Sequence, residues 1–249
     1  MAKTFLLKGA GVSDQGLKRT QNQDRFASIP EMNLFIVADG MGGHLGGETA
    51  SELAITTIVQ FFKTNKITQL PNRALKEAIR EANQAIQEKS LEDPALRGMG
   101  TTTTALFFYE DKLYIGHVGD SRCYLVRPGM IWQLTRDHSL VQEKLRAGMI
   151  TRDQVKTDKM KNVITRSVGF ENDVEVDIYE YSPSPKDAFV VCSDGLHGLV
   201  SDDEICKIVS DAIQDNNQLE NSARKLVQLA NENGGDDNVT VVVLQAFGT

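Results

Sequence analysis

Four times in this chain an apolar, β-rich stretch adjoins a cluster of glycine and aspartate: LFIVADGMGG, YIGHVGDSR, FVVCSDGLHG and GGDDNVTVVVL. An aspartate at the edge of an apolar strand is costly to desolvate unless it is hydrogen-bonded, paired or bound to a metal. Each cluster alone reads as a turn, because Asp-Gly is a common hairpin signal and Asp caps helices and loops. Four together, at Asp39, Asp120, Asp194 and Asp237, favour one shared site if their strands lie side by side. So many carboxylates cannot all stay ionised in one place without a cation.

Oxygen-only ligands select hard ions, and no Cys/His cluster stands near these aspartates in the sequence, so Mg²⁺ or Mn²⁺ is preferred over Zn²⁺. The loop pattern of a calcium-binding helix pair is absent. Two hard ions sharing a carboxylate form the clamp used for in-line displacement at phosphorus, with a bridging water as nucleophile, which points to phosphoester hydrolysis. The segment GMGGHLGG invites a dinucleotide reading, but a GxGxxG fingerprint would need glycine where Leu45 stands, and no Walker lysine is present. These glycines instead let the backbone turn sharply and approach an ion, with the Gly40 carbonyl as a candidate ligand.

Strand-like stretches rich in β-branched and aromatic residues fall at 34–38, 101–108, 112–118, 122–126, 174–181, 188–192 and 239–245. Helical periodicity marks 48–63, 72–89, 202–214 and 219–231, the last ending in Asn233-Gly234-Gly235. Tight turns at Glu110-Asp111 and Arg127-Pro128-Gly129 indicate antiparallel neighbours rather than the crossovers of a doubly wound sheet. The expected architecture is stacked antiparallel sheets with helix pairs outside. Polar, mostly helical sequence at about 136–166 reads as a small flap subdomain. No linker divides the 249 residues, so one domain, 1–249, is expected.

A net charge of −7 argues against a nucleic-acid footprint, which needs clustered Lys and Arg on one face. Cys123, Cys192 and Cys206 are widely spaced, odd in number and set among apolar residues, so they read as buried thiols of a reducing compartment, and a cytoplasmic location is expected. The N-terminus lacks the apolar stretch of a signal peptide, and no apolar run is long enough to span a bilayer. A soluble monomer without a membrane anchor is the expectation.

Taken in order, GLKRTQNQDRF, ADGMGGH, GMGTT, GDSR, LTRDHS, NVITRSVG, CSDGL and GGDDNVT resemble the motif series of the protein phosphatase 2C type of metal-dependent serine/threonine phosphatases, in particular its compact bacterial members. The resemblance covers nearly the whole chain, and an ordered set is far more specific than any single motif. It implies an α+β fold, an αββα sandwich of two antiparallel sheets flanked by helix pairs, with a dinuclear site at one end of the sheets. By the same resemblance Asp39 bridges both ions, the Gly40 carbonyl joins one of them, and Asp194 and Asp237 hold the other. Asp24 acts through ordered water, and Asp120 with Asp194 holds a third, weaker metal. Arg19 falls where the family has an arginine that grips the substrate phosphate, a task suited to a planar, permanently charged fork. His44 is the nearby candidate for the acid that protonates the leaving group. Phosphorylated proteins are the implied substrates, with a Ser/Thr protein kinase as the implied counterpart.

Three positions depart from the family pattern. His197 and Gly198 follow CSDGL where relatives carry an Asp or Asn oxygen, Gln23 stands where many have Glu, and the flap lacks a His-Pro before Asn162-Val163. None removes a direct ligand of the two core ions. The competing readings are a dinuclear nuclease or small-molecule phosphoesterase, which would share the metal chemistry, and a phosphoprotein-binding module with little turnover.

Overall fold

The computed structural model describes residues 5–65, 70–155, 157–214 and 218–248. One sheet contains β1 (Phe5–Asp14), β7 (Arg122–Arg127), β8 (Met130–Gln133), β10 (Ala188–Cys192) and β11 (Val239–Gly248), in the order β1-β11-β10-β7-β8. The other contains β2 (Asp24–Ile29), β3 (Leu34–Met41), β5 (Thr103–Tyr109), β6 (Lys112–Val118) and β9 (Asp177–Tyr181), in the order β2-β3-β5-β6-β9. The short β4 (Gly100–Thr101) pairs with the end of β3. All pairings are antiparallel. Helices α1 (Gly43–Thr64) and α2 (Pro71–Glu92) cover the second sheet, and α6 (Asp202–Gln214) and α7 (Leu219–Glu232) cover the first. The short α3 (Leu140–Arg146) and α4 (Arg152–Val155) lie in the segment read as a flap, and the single turn α5 (Asp194–His197) follows β10.

Strand periodicity creates this layering. In β3, Leu34, Ile36 and Ala38 pack with Ala54, Ile58, Leu75 and Ile79 of the helices, while Phe35 and Val37 point the other way into the space between the sheets. Strand β11 divides likewise: Val239, Val241 and Val243 face α6 and α7, and Val242 and Leu244 face the other sheet. Because both faces are covered, these strands read as continuous apolar runs rather than as alternations. Phe189 sits in the middle layer, fully buried and edge-on to Phe108 at 5.8 Å between ring centroids. Phe189→Ala should therefore lower the unfolding free energy by about 3–5 kcal/mol, read from urea titration against wild type.

The expected architecture is the observed one, with differences at the weakly patterned elements. Val174 and Val176 were expected in a strand over 174–181, but only Asp177–Tyr181 forms it. With Asp177 opposite His117, its partner β6 ends one residue later at Val118 and the chain turns at Gly119 (φ +109°), leaving 174 and 175 without a neighbour to pair with. The stretch 101–108 is divided at Thr102: its N–H donates to the Asp39 carbonyl opposite at 2.8 Å, but the Asp39 N–H turns to the Thr102 hydroxyl at 3.0 Å and breaks the ladder there. Strands β1, β2 and β8 carry little local signal. The ten residues of β1 pair with β11 throughout, and a Cβ at Gly11 would stand 2.2 Å from the Phe26 ring, so glycine there admits the aromatic face of β2. Among the described residues, no helix is long and apolar enough to cross a membrane.

Candidate metal centre

Asp24, the first residue of β2, is the register partner of Asp39 near the end of β3, so one antiparallel pair brings two of the expected carboxylates face to face. From the other sheet, β10 delivers Asp194 into the first turn of α5, and the loop entering β11 delivers Asp237. Ser193 joins the two sheets here: its hydroxyl donates to Asp24 Oδ2 at 2.7 Å and accepts from the Thr240 N–H at 3.0 Å. Asp120 arrives from the turn after β6. Asp24 and Asp120 are buried, whereas Asp39, Asp194 and Asp237 are half-buried and reachable from solvent.

The electrostatics are those of an anion cluster short of positive charge. Burial, followed by repulsion from Asp24, Asp194, Asp120 and Asp237, holds the Asp39 carboxyl well above the usual carboxylate range. Burial and Asp194 push Asp120 up to about 8. Burial pushes Asp24 up to about 7 against the opposing hydrogen bonds from Ser193 and Thr240. Asp194 rises to about 6 through burial and Asp237, with an opposing contribution from its neighbour Asp39. Asp24 Oδ1, Asp120 Oδ1 and Asp194 Oδ1 are buried without a hydrogen-bond partner. Among the described residues no three His, Cys, Asp or Glu side chains stand together as a ready ligand shell, and Asp237 is turned to Arg19. The donor set still suits hard divalent ions: it is all oxygen, three of its atoms lack partners, and its charge is relieved by a cation.

Backbone geometry completes the site. A Cβ on Gly40 would lie 2.0 Å from the Gly47 carbonyl oxygen, so only glycine lets the start of α1 press against the end of β3. Arg19 lies on the loop between β1 and β2, with Nη2 2.6 Å from Asp237 Oδ2 and about half its side chain exposed. The His44 side chain lies outside the described residues, so its expected role as proton donor has no geometry to weigh.

Several residues that shape the site escaped the sequence reading. Asn238 is buried and stitches the Arg19 loop to the site: its Oδ1 accepts from Gln23 N–H at 2.8 Å, and its Nδ2 donates to the Gln15 and Gln21 carbonyls. Thr102 Oγ1 accepts from the Asp39 N–H at 3.0 Å. The only signal for either was position inside GGDDNVT and GMGTT. The sequence reading found no Cys/His cluster near the aspartates, yet two histidines gather beside the Asp120 turn. His138 Nδ1 accepts from Gly119 N–H at 3.1 Å, and His197 Nε2 donates to the Asp120 carbonyl at 3.0 Å. Burial and the nearby Arg122 push His197 down to about 3, so it is a neutral anchor of the Asp120 main chain, next to Gly198. Arg122 forks onto Asp137 with contacts of 2.6 to 3.1 Å, which makes the arginine of GDSR a structural partner.

The family model described as protein phosphatase 2C matches residues 12–239. The serine/threonine phosphatase stp of Listeria monocytogenes is 35% identical over 239 residues, covering 94% of this chain and 93% of that protein. Among solved structures, the serine/threonine phosphatase PstP/Ppp of Mycobacterium tuberculosis superposes with a TM-score of 0.89 at 35% identity, over 98% of this chain and 99% of that one. The catalytic domain of PstP in complex with 2 manganese ions superposes with a TM-score of 0.87 at 36% identity, over 98% of this chain and all of that one.

Proposed function

Because the chain belongs to the protein phosphatase 2C family, the metal-dependent protein serine/threonine phosphatases, we propose that it hydrolyses phosphoserine and phosphothreonine on proteins at a dinuclear Mg²⁺ or Mn²⁺ site. The observation that carries this reading is the meeting of Asp24, Asp39, Asp120, Asp194 and Asp237 from both sheets at one end of the sandwich, with three buried carboxylate oxygens unpartnered. In this reading Asp39, the Gly40 carbonyl, Asp194 and Asp237 would hold the two ions. Asp24 orients ordered water through its free oxygen, and Asp120 with Asp194 holds a third ion. When bound, the ions would supply Lewis acidity at the phosphoryl oxygens and lower the pKa of the attacking water.

The chain's own residues bind and orient. Arg19 leaves Asp237 to fork onto the substrate phosphate, an exchange of one charge-assisted contact for two. Ser193 and Thr240 hold Asp24 in place, and Thr102 fixes the main chain of Asp39. His44 donates the proton to the serine or threonine leaving group. The segment at about 136–166 serves as a flap that meets the protein substrate, and residues 1–249 act as one catalytic unit and a monomer. The free, buried Cys123, Cys192 and Cys206 suit a reducing cytoplasm, where a Ser/Thr kinase would supply the phosphoproteins.

Phosphate release from a phosphothreonine peptide should require Mn²⁺ or Mg²⁺, stop on adding EDTA and return with metal, while a DNA substrate is left intact. Metal-independent release, or cleavage of the DNA at a comparable rate, would overturn the reading.

A further inference from the structure

On the buried face of α2, seven of the eight side chains are Pro, Ala, Leu or Ile, and the eighth is Asn83, which is 2% exposed. A primary amide in such a place is unfavourable unless its donor and acceptor are both used. Both are: Asn83 Oδ1 accepts from the Gly169 N–H at 2.6 Å, and Nδ2 donates to the Glu171 carbonyl at 2.9 Å. Gln87, one turn later, donates to the same Glu171 carbonyl at 2.6 Å. Two side chains of one helix thus grip the main chain just after the segment read as a flap.

What Gly169 adjoins gives this grip a destination. Val168 and Thr101 exchange main-chain hydrogen bonds of 2.8 and 2.9 Å. Thr101 is in turn the register partner of Gly40, and its hydroxyl donates to the Asp39 carbonyl at 2.9 Å. Thr102 N–H donates to that carbonyl as well, at 2.8 Å. A ladder of two pairings therefore runs from Gly40 through Thr101 to Val168, off the main path of the sheet, and Asn83 closes its outer edge.

The geometry points to Asn83 as a positioning residue for the metal centre: by fixing Gly169 it sets the ladder that holds the Asp39 and Gly40 main chain, and ties the flap's return limb to that ladder. This inference rests on the dinuclear reading of the site. The Glu171 half of the grip is shared with Gln87, so the Gly169 half is the part that belongs to Asn83 alone.

The test is Mn²⁺ titration by calorimetry on the metal-stripped full chain, with phosphopeptide kinetics at rising Mn²⁺. Asn83→Ala should weaken Mn²⁺ binding about fivefold, less than the roughly 10- to 100-fold typical of residues that touch a ligand directly. Its lost turnover should recover as Mn²⁺ is raised, which a general loss of folded protein would not do. Gln87→Ala should bind Mn²⁺ as wild type does. If Asn83→Ala does not fold, hydrogen exchange on the wild-type chain decides: Mn²⁺ should slow exchange of the Val168 and Gly169 amides, because coupling between sites is reciprocal. Wild-type Mn²⁺ affinity in folded Asn83→Ala, or amides at 168–169 indifferent to Mn²⁺, overturns the inference and leaves the phosphatase reading standing. A wild-type chain that binds no Mn²⁺ overturns both.

Discussion

Asp39→Asn should abolish phosphate release, by a factor on the order of 10³ or about 4 kcal/mol of activation free energy, while leaving the fold intact. The amide has the shape of the carboxyl, and the main chain at this position is held independently by Thr101 and Thr102. What changes is charge. In the metal-free chain burial and four neighbouring aspartates disfavour the Asp39 anion, so a neutral side chain relieves repulsion there. The variant should melt no lower than wild type in EDTA, yet gain less from added Mn²⁺, because ligand-driven stabilisation needs the binding site it has lost. Melting curves with and without Mn²⁺, beside phosphate release, read both effects at once. Wild-type turnover in the variant would remove Asp39 from the metal centre.

Arg19→Ala should act on substrate rather than on metal. Its contact with Asp237 is a half-exposed ion pair, a class that contributes about 0–1 kcal/mol, so little stability is at stake. A charge-assisted pair to phosphate is stronger, about 1.5–3 kcal/mol, which corresponds to a rise in KM of roughly 10- to 150-fold for phosphopeptides. The turnover number should change far less if the contact is equally strong in ground and transition states. Arg19→Lys should recover only part of the loss, because an ammonium cannot supply two parallel donors. A fall in turnover at unchanged KM would instead place Arg19 on the transition state alone.

The departures from the family pattern take on physical meaning in the structure. The oxygen expected after CSDGL falls at Gly198, which has no side chain, while its neighbour His197 is buried, neutral and bonded to the Asp120 main chain. The carboxyl of Asp120 keeps an unpartnered oxygen, so the turn is anchored from behind while its side chain is free to meet an ion.

Sequence by itself determined the layers and most of the carboxylates that converge at the site. The apolar runs of β3 and β11, the turns at Glu110-Asp111 and Pro128-Gly129, and the helical spacing of Ala74 to Ile86 are local patterns, and local patterns survive in a one-dimensional reading. Aspartates at strand ends were equally visible, because desolvation makes such positions costly wherever the strand goes. Tertiary structure alone decided the rest. Asp24 meets Asp39 through strand register, Ser193 reaches Asp24 across 169 residues of sequence, and Arg19 reaches Asp237 across 218. Strands β1 and β2 form because β11 and β3 offer them a ladder, not because GAGVSD or DRFASI prefers to be extended. The same holds for Asn83, Asn238 and His197, whose value lies wholly in the distant main-chain groups they satisfy. A hydrogen bond between remote segments leaves no periodicity behind, so only the folded chain reveals which polar residues hold the site.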